Sequence, residues 1–191
     1  MNEYPVKKHP IVGACGLDCG LCPRYYTSGP SRCPGCAGQG FEQKHPTCDF
    51  ITCCVKQKHL ETCALCPDWA SCKRVRRIMA AAKQSDSFIS YRPLADNYAF
   101  IQKNGIEGFT QRELAKMEIL GYLLKHFDDG RSKAFYCTSC QLLPLDSLKS
   151  VLDETEKEIN ENTGNKEKSE QIRAAINRLA DSLHVDLKLR K

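Results

Sequence analysis

From Trp69 onward, apolar residues recur at the spacing of a helix face, and polar turns separate the stripes. In DWASCKRVRRIMAAAKQ, rich in Ala, Arg and Lys, Val75, Ile78, Met79 and Ala82 fall on one side and predict an amphipathic helix. DSFISYRPLADNYAFIQKNG predicts a helix that begins after Pro93 and stops near Gly105. GFTQREL then carries a start signal, with Thr110 as N-cap, Glu113 as capping-box partner and Phe109 stapled to Leu114. That helix should run to about His126 and end before DDGR, where Gly130 can take a left-handed turn. Beyond FYCTSCQLLP, Leu145, Leu148, Leu152 and Ile159 form one stripe, and Ile172, Ile176, Leu179 and Leu183 form another. The polar link NENTGNKEKSE between them predicts an antiparallel helical pair. Strand–helix alternation is absent, which argues against a parallel sheet, and no tandem repeat of fixed period is apparent.

Residues 15 to 72 have a different texture. Gly and Pro concentrate in SGPSRCPGCAGQG, QKHPTC and CALCPDW, which excludes long helices and predicts loops and short helical turns organised around ligands. The expected fold is therefore mainly α: an irregular cysteine-rich, metal-organised N-terminal module followed by a small helical domain. The expected division is 1–72 for the module, 73–143 for the helical domain and 144–191 for the C-terminal pair.

With 191 residues and 41% hydrophobic content, the chain can bury a core and is not disordered by composition. It has no apolar run of about eighteen residues, which argues against a membrane helix. MNEYPVKKHPIVGACG has no apolar segment of the signal-peptide kind, so the expected compartment is the cytoplasm. There are thirteen cysteines, eleven of them between Cys15 and Cys72. An odd count in a reducing compartment points to metal rather than to disulfides. The formal net charge of +5 loses its meaning on that reading. Each four-thiolate site holding a divalent ion adds about −2, so two or three sites bring the total near zero and remove the bulk argument for a polyanionic partner.

Four CxxC units stand out: Cys19/Cys22, Cys33/Cys36, Cys63/Cys66 and Cys137/Cys140. Two intervening residues let both sulfurs point into one turn while backbone amides face them, and four thiolates close a tetrahedral Zn²⁺ site. With Cys15, Cys48, Cys53, Cys54 and Cys72, all thirteen cysteines are candidate ligands for two or three Zn²⁺ ions. The same spacings suit [4Fe–4S] clusters, and Cys22, Cys33 and Cys66 each precede proline, as some cluster ligands do. Softness does not separate the two. Cys15, Cys19 and Cys22 also match the CxxxCxxC spacing of radical-SAM enzymes, but this chain lacks the barrel that carries it. His45 and His59 lie in the block and could each replace a thiolate, although an exposed loop histidine is the simpler reading.

With CGLDCGLC, CPGC, CDFITCCVKQKHLETCALC and the final Cys72 together, the sequence resembles the family catalogued as domain of unknown function 3795. Its members open on CGxxCxxC, followed by CxGC and by a CxxC before one last cysteine. The likeness covers residues 14 to about 72, and FDDGRSKAFYCTSCQLLP looks like the second half of longer members, extending it to about residue 150. The resemblance implies zinc binding and supplies no catalytic residue. It implies Cys15, Cys19, Cys22, Cys33, Cys36, Cys48, Cys54, Cys63, Cys66 and Cys72 as ligands, and it supports Cys137 through FYC ahead of Cys140.

Lys73, Arg74, Arg76, Arg77 and Lys83 share one predicted helix. They could meet phosphates, but with no interleaved aromatics they read as a solvated face. Asp128, Asp129, Arg131 and Lys133, beside Tyr136 and Cys137, could serve as acid, base or anion ligand, yet DDGR is also an ordinary helix-ending turn. Trp69 is expected to cover the metal module against the first helix. The functional expectation is a zinc-binding protein without chemistry of its own, whose folded module presents a surface to a protein partner in preference to nucleic acid or membrane. An iron–sulfur protein of redox or anaerobic metabolism, or an accessory to an enzyme, is the alternative.

Overall fold

The computed structural model describes residues 5–45, 48–160 and 163–191. Among them are five α-helices and no strand: α1 (Lys73–Ala81), α2 (Leu94–His126), α3 (Lys133–Leu142), α4 (Leu145–Glu158) and α5 (Asn165–Ser182). The chain is mainly α, and none of these helices is long and apolar enough to cross a membrane. It divides into two compact units, Met1–Leu114 with Leu189–Lys191, and Ala115–Lys188. This cut differs from the three segments 1–72, 73–143 and 144–191. A block rich in Cys, Gly and Pro has few large apolar side chains, and α1 with the first part of α2 supplies them: Val75, Leu94, Tyr98, Ile101 and Phe109 are all buried.

In the first unit the cysteine-rich block is built from short turns. The 3₁₀ turns are Cys19–Leu21, Gly29–Ser31, Phe41–Gln43 and Cys63–Leu65, with a π-helical segment at Ile51–Gln57. Helix α2 docks on the CGLDC loop through Asn97, whose Nδ2 donates to the Gly16 carbonyl at 3.1 Å and to Asp18 Oδ1 at 2.7 Å. Arg112 donates in turn to Asn97 Oδ1 at 2.7 Å, and its guanidinium lies 4.4 Å from the ring centres of both Phe100 and Phe109. Gly16 has φ +91°, and a Cβ there would stand 2.5 Å from Tyr98 Cε2. Gly16→Ala therefore combines left-handed strain with overlap against a buried ring, and should cost about 3 kcal/mol in a denaturant melt.

Helix α2 contains a break at Gly105, whose φ of 75° and ψ of 175° lie outside the helical region, and it ends at His126 as its pattern predicts. The expected new start at Thr110 is wrong. Helix resumes directly after Gly105, and Thr110 sits within it, its hydroxyl 3.2 Å from His9 Nδ1. Nor does the staple form, since Phe109 is fully buried while Leu114 is 40% exposed. Glycine's freedom at one position outweighs a four-residue capping signal.

Residues 189–191 return to the first unit. Asp86, whose side chain is wholly buried, accepts from Arg190 Nη2 at 3.0 Å, Arg190 Nε at 3.1 Å and the Arg190 amide at 2.8 Å. Arg190 also donates to the carbonyls of Ala82 and Lys83, just past α1. Burial pushes the Asp86 carboxyl up, but Arg190 and the Tyr91 and Ser90 donors outweigh it and hold the group well below the usual range. A depressed carboxyl contributes stability above its unfolded pKa, about 4, and loses it as pH falls through the folded value. Arg190→Ala should cost about 3 kcal/mol at neutral pH. The deficit should shrink on acidification below about pH 4, read by urea titration across pH.

In the second unit α4 and α5 pack on each other, with Leu148, Leu152, Ile172 and Ile176 buried. The structure adds a helix that the pattern did not predict, α3, which contains the FYCTSC segment read as a metal turn. It is anchored by Tyr136, whose hydroxyl donates to the Phe127 carbonyl at 3.0 Å and lies 3.1 Å from Ser169 Oγ.

Candidate metal centre

All thirteen cysteines lie in the described residues, and no disulfide joins any of them. In the first unit thiols come together across segments, and Cys33 and Cys36 of CPGC also lie within electrostatic reach of each other. Cys19 donates a hydrogen bond to Cys36, and the sulfur neighbour of Cys22 is Cys33. The first cysteine of CGLC is thus paired with the last of CPGC, and the last of CGLC lies within electrostatic reach of the first of CPGC. The link is made by backbone: the Cys33 amide donates to the Arg24 carbonyl at 2.9 Å, and the Cys36 amide donates to the Pro10 carbonyl at 2.7 Å.

Around Cys36 the site is deeply buried. The bond from Cys19, the buried Lys7 ammonium and the Ala14 amide, 3.2 Å away, together outweigh burial and hold the Cys36 thiol down to about 6. The same bond and burial push Cys19 well above the usual thiol range. Cys15, pushed up to about 12 by burial first, lies within electrostatic reach of Cys36, Cys48 and Cys63. A second centre forms where Cys63 donates to Cys54, with Cys72 near; that bond, reinforced by burial, raises Cys63 far above its ordinary range. Tyr98 lies within electrostatic reach of Cys63, Cys15, Cys54 and Cys72, its hydroxyl buried and without a hydrogen-bond partner among the described residues.

Backbone amides are aimed at the sulfurs. Leu17 donates to Cys15, Arg24 and Tyr25 to Cys22, Gly35 to Cys33, Phe50 and Ile51 to Cys48, and Ala14 to Cys36. Cys66 instead receives Lys58 Nζ at 3.2 Å, which also pairs with Asp68 at 2.8 Å. Cys53 is half-buried on the π-helical segment beside the buried Cys54. Thiolates and an adjacent imidazole are ligand types that zinc or an iron–sulfur cluster takes, and amides facing the sulfurs would support them from outside. Among the described residues, however, no three His, Cys, Asp or Glu side chains stand together as a ready metal site. The convergence is pairwise.

Cys137 and Cys140 belong to the second unit, where both are buried on α3, three residues apart and so on one helix face. His59 is exposed, with φ of 54°. His45 differs from the simple loop reading: its Nε2 lies 3.2 Å from Cys33 Sγ. Sequence reasoning missed Lys7 and Tyr98 because a lone lysine ahead of the first cysteine and a tyrosine on a helix face carry no spacing signal.

Asp128 and Asp129 line a cleft of about 520 Å³ with Arg131, Asn165 and Lys166. Their oxygens are engaged in the turn: Asp128 accepts from the Gly130 amide at 3.0 Å, and Asp129 from the Arg131 amide at 2.9 Å and Ser132 Oγ at 2.8 Å. These donors hold the Asp129 carboxyl below the usual range, which suits a structural turn better than an acid near neutral pH. Lys73, Arg74, Arg76, Arg77 and Lys83 are exposed. Trp69 is half-buried, its ring 5.4 Å from that of Tyr98, and it borders a cleft of about 230 Å³ along α1. No protein-family model, curated protein or solved structure matches the chain significantly.

Proposed function

We propose that the cysteine-rich block is a zinc-binding module whose thiolates hold two or three ions, that it shares this role with the family it resembles, and that it works by presenting a folded surface to a protein partner. The observation that carries this reading is the set of amides directed at Cys15, Cys22, Cys33, Cys36 and Cys48. A neutral thiol is a weak acceptor, whereas a thiolate rewards such donors. Amides facing a concave cluster of sulfurs are the surroundings of metal-bound thiolates. A bound divalent ion would neutralise the paired sulfurs and supply the folding free energy that a Gly- and Pro-rich block lacks. A reducing compartment such as the cytoplasm would keep the thiols available.

Thiol mapping tests it. The native protein is alkylated with N-ethylmaleimide with and without a chelator, and the labelled cysteines are identified by mass spectrometry. Protection at Cys15, Cys19, Cys36, Cys54 and Cys63 should be lost on chelation, while Cys137 and Cys140 stay unlabelled through burial alone. Equal labelling with and without chelator would contradict metal ligation.

A further inference from the structure

We propose that the face of α1 around Trp69, Arg76 and Lys83 is the surface that meets the protein partner, and that it takes an acidic segment carrying one large apolar side chain. This inference rests on the reading of the module as the presenter of a folded surface, and it names the face and the partner's chemistry. All of its residues belong to the first unit.

The cations of α1 look like a solvated face in the sequence, but they border the cleft of about 230 Å³ that runs along the helix. Trp69, Val75 and Met79 give the cleft an apolar floor. Val75 is buried and the Trp69 ring rests 5.4 Å from that of the buried Tyr98, so the floor is fixed by the core beneath it. Ala70 and Ala80 are small and exposed, and they leave the cleft open. Its volume falls below the roughly 300–1,000 Å³ of small-molecule sites and suits a single anchoring side chain.

The charge around this floor is of one sign. Arg76 and Lys83 line the cleft and are exposed. No Asp or Glu occurs between Asp68 and Asp86. Asp68 is engaged by Lys58 at 2.8 Å and the buried Asp86 by Arg190 at 3.0 Å, so neither end of the segment supplies a counter-charge. Arg77 pairs with Asp49 at 3.8 Å, whereas Arg76 and Lys83 have no acidic partner among the described residues. Cations beside an apolar cleft steer a carboxylate-bearing chain, and the side chain that fills the cleft supplies affinity. A nucleic acid would use the cations but not the floor, since a phosphate gains nothing from Val75 and Met79 and Trp69 is the one ring among the described lining residues.

Trp69 is the chain's only tryptophan, so its emission reports on the cleft. The full chain is titrated with a short peptide of glutamates around one central phenylalanine, with its alanine counterpart and with oligothymidylate. The phenylalanine peptide should shift Trp69 emission saturably and bind about tenfold more tightly than the alanine one. Arg76→Glu and Lys83→Glu should each weaken it about tenfold with no change in the thermal melt, and Arg76→Lys should restore most of the binding. No saturable shift, or equal affinity for the two peptides, would overturn the proposal. Tighter binding of the oligonucleotide, lost in the same variants, would overturn it in favour of nucleic acid. Zinc is counted per chain in the same samples. Bound zinc without peptide binding would overturn this face alone, and peptide binding without zinc would support this face and overturn the metal reading alone.

Discussion

Stripping metal from the protein with a chelator should unfold the cysteine-rich block while the α4–α5 pair keeps its structure. Structural zinc contributes roughly 10 kcal/mol or more of folding free energy per site, comparable to the whole stability of an ordinary domain, about 5–15 kcal/mol. The block has little to set against that loss. Its secondary structure is a series of one-turn 3₁₀ segments and one π-helical stretch, and short helices of this kind do not persist without tertiary support. Many of its cross-links are single backbone bonds, such as Gly20 to the Ile11 carbonyl at 2.8 Å and Cys63 to the Ala14 carbonyl at 2.8 Å. Hydrogen exchange followed by mass spectrometry reads the outcome by segment. Peptides covering residues 13–22 and 51–66 should lose protection on chelation, and those within α4 and α5 should not. Unchanged protection in the block would mean that packing alone holds it.

The second large effect is expected at Asn97, which has no metal-ligating atom of its own in this account. Its side chain bridges the Gly16 carbonyl, the buried Asp18 carboxylate and Arg112. Asn97→Leu keeps the volume and removes a donor at 2.7 Å from a carboxylate that has no exposed surface. Such a loss costs about 3 kcal/mol, since the buried charge keeps its desolvation cost with fewer compensating bonds. Asp18 lies directly before Cys19 and two residues after Gly16, so the loop carrying Cys15 and Cys19 should loosen. Zinc affinity should then fall about 10–100-fold, as when an outer-shell partner of a ligand is removed. Urea midpoints and a competition titration with a colorimetric zinc chelator measure the two effects separately. Wild-type values in both would show that α2 does not hold the loop.

The periodic part of the chain was legible. Each predicted stripe has a buried centre, at Val75, at Leu148 and Leu152, and at Ile172 and Ile176, while its outer members are half-buried (Ile78, Met79, Ala82, Leu145, Ile159 and Leu179) or exposed (Leu183). Helix α3 was masked by its own chemistry: a two-residue gap between cysteines reads as a metal turn, but it equally places Cys137 and Cys140 on one helix face. The break in α2 was visible at Gly105, yet the capping box five residues later drew the start away from it. In the cysteine block, the identity of the candidate ligands follows from composition, but the pairing of Cys19 with Cys36 and the approach of Cys22 to Cys33 do not. They depend on backbone bonds between segments far apart in the chain, such as Cys36 to Pro10, and spacing within a motif does not encode those. The approach of His45 to Cys33 is legible only once Phe41 is known to be buried beneath the ring.

The most direct test of the central claim is the metal and acid-labile sulfide content per chain of protein purified without oxygen, taken with a visible spectrum. Bound zinc by the thiols of the block predicts two or three zinc ions per chain, no sulfide and a colourless solution. Iron matched by sulfide, with absorbance near about 400 nm, would contradict zinc and make the module a cluster-bearing one. A chain carrying neither metal would contradict the account as a whole.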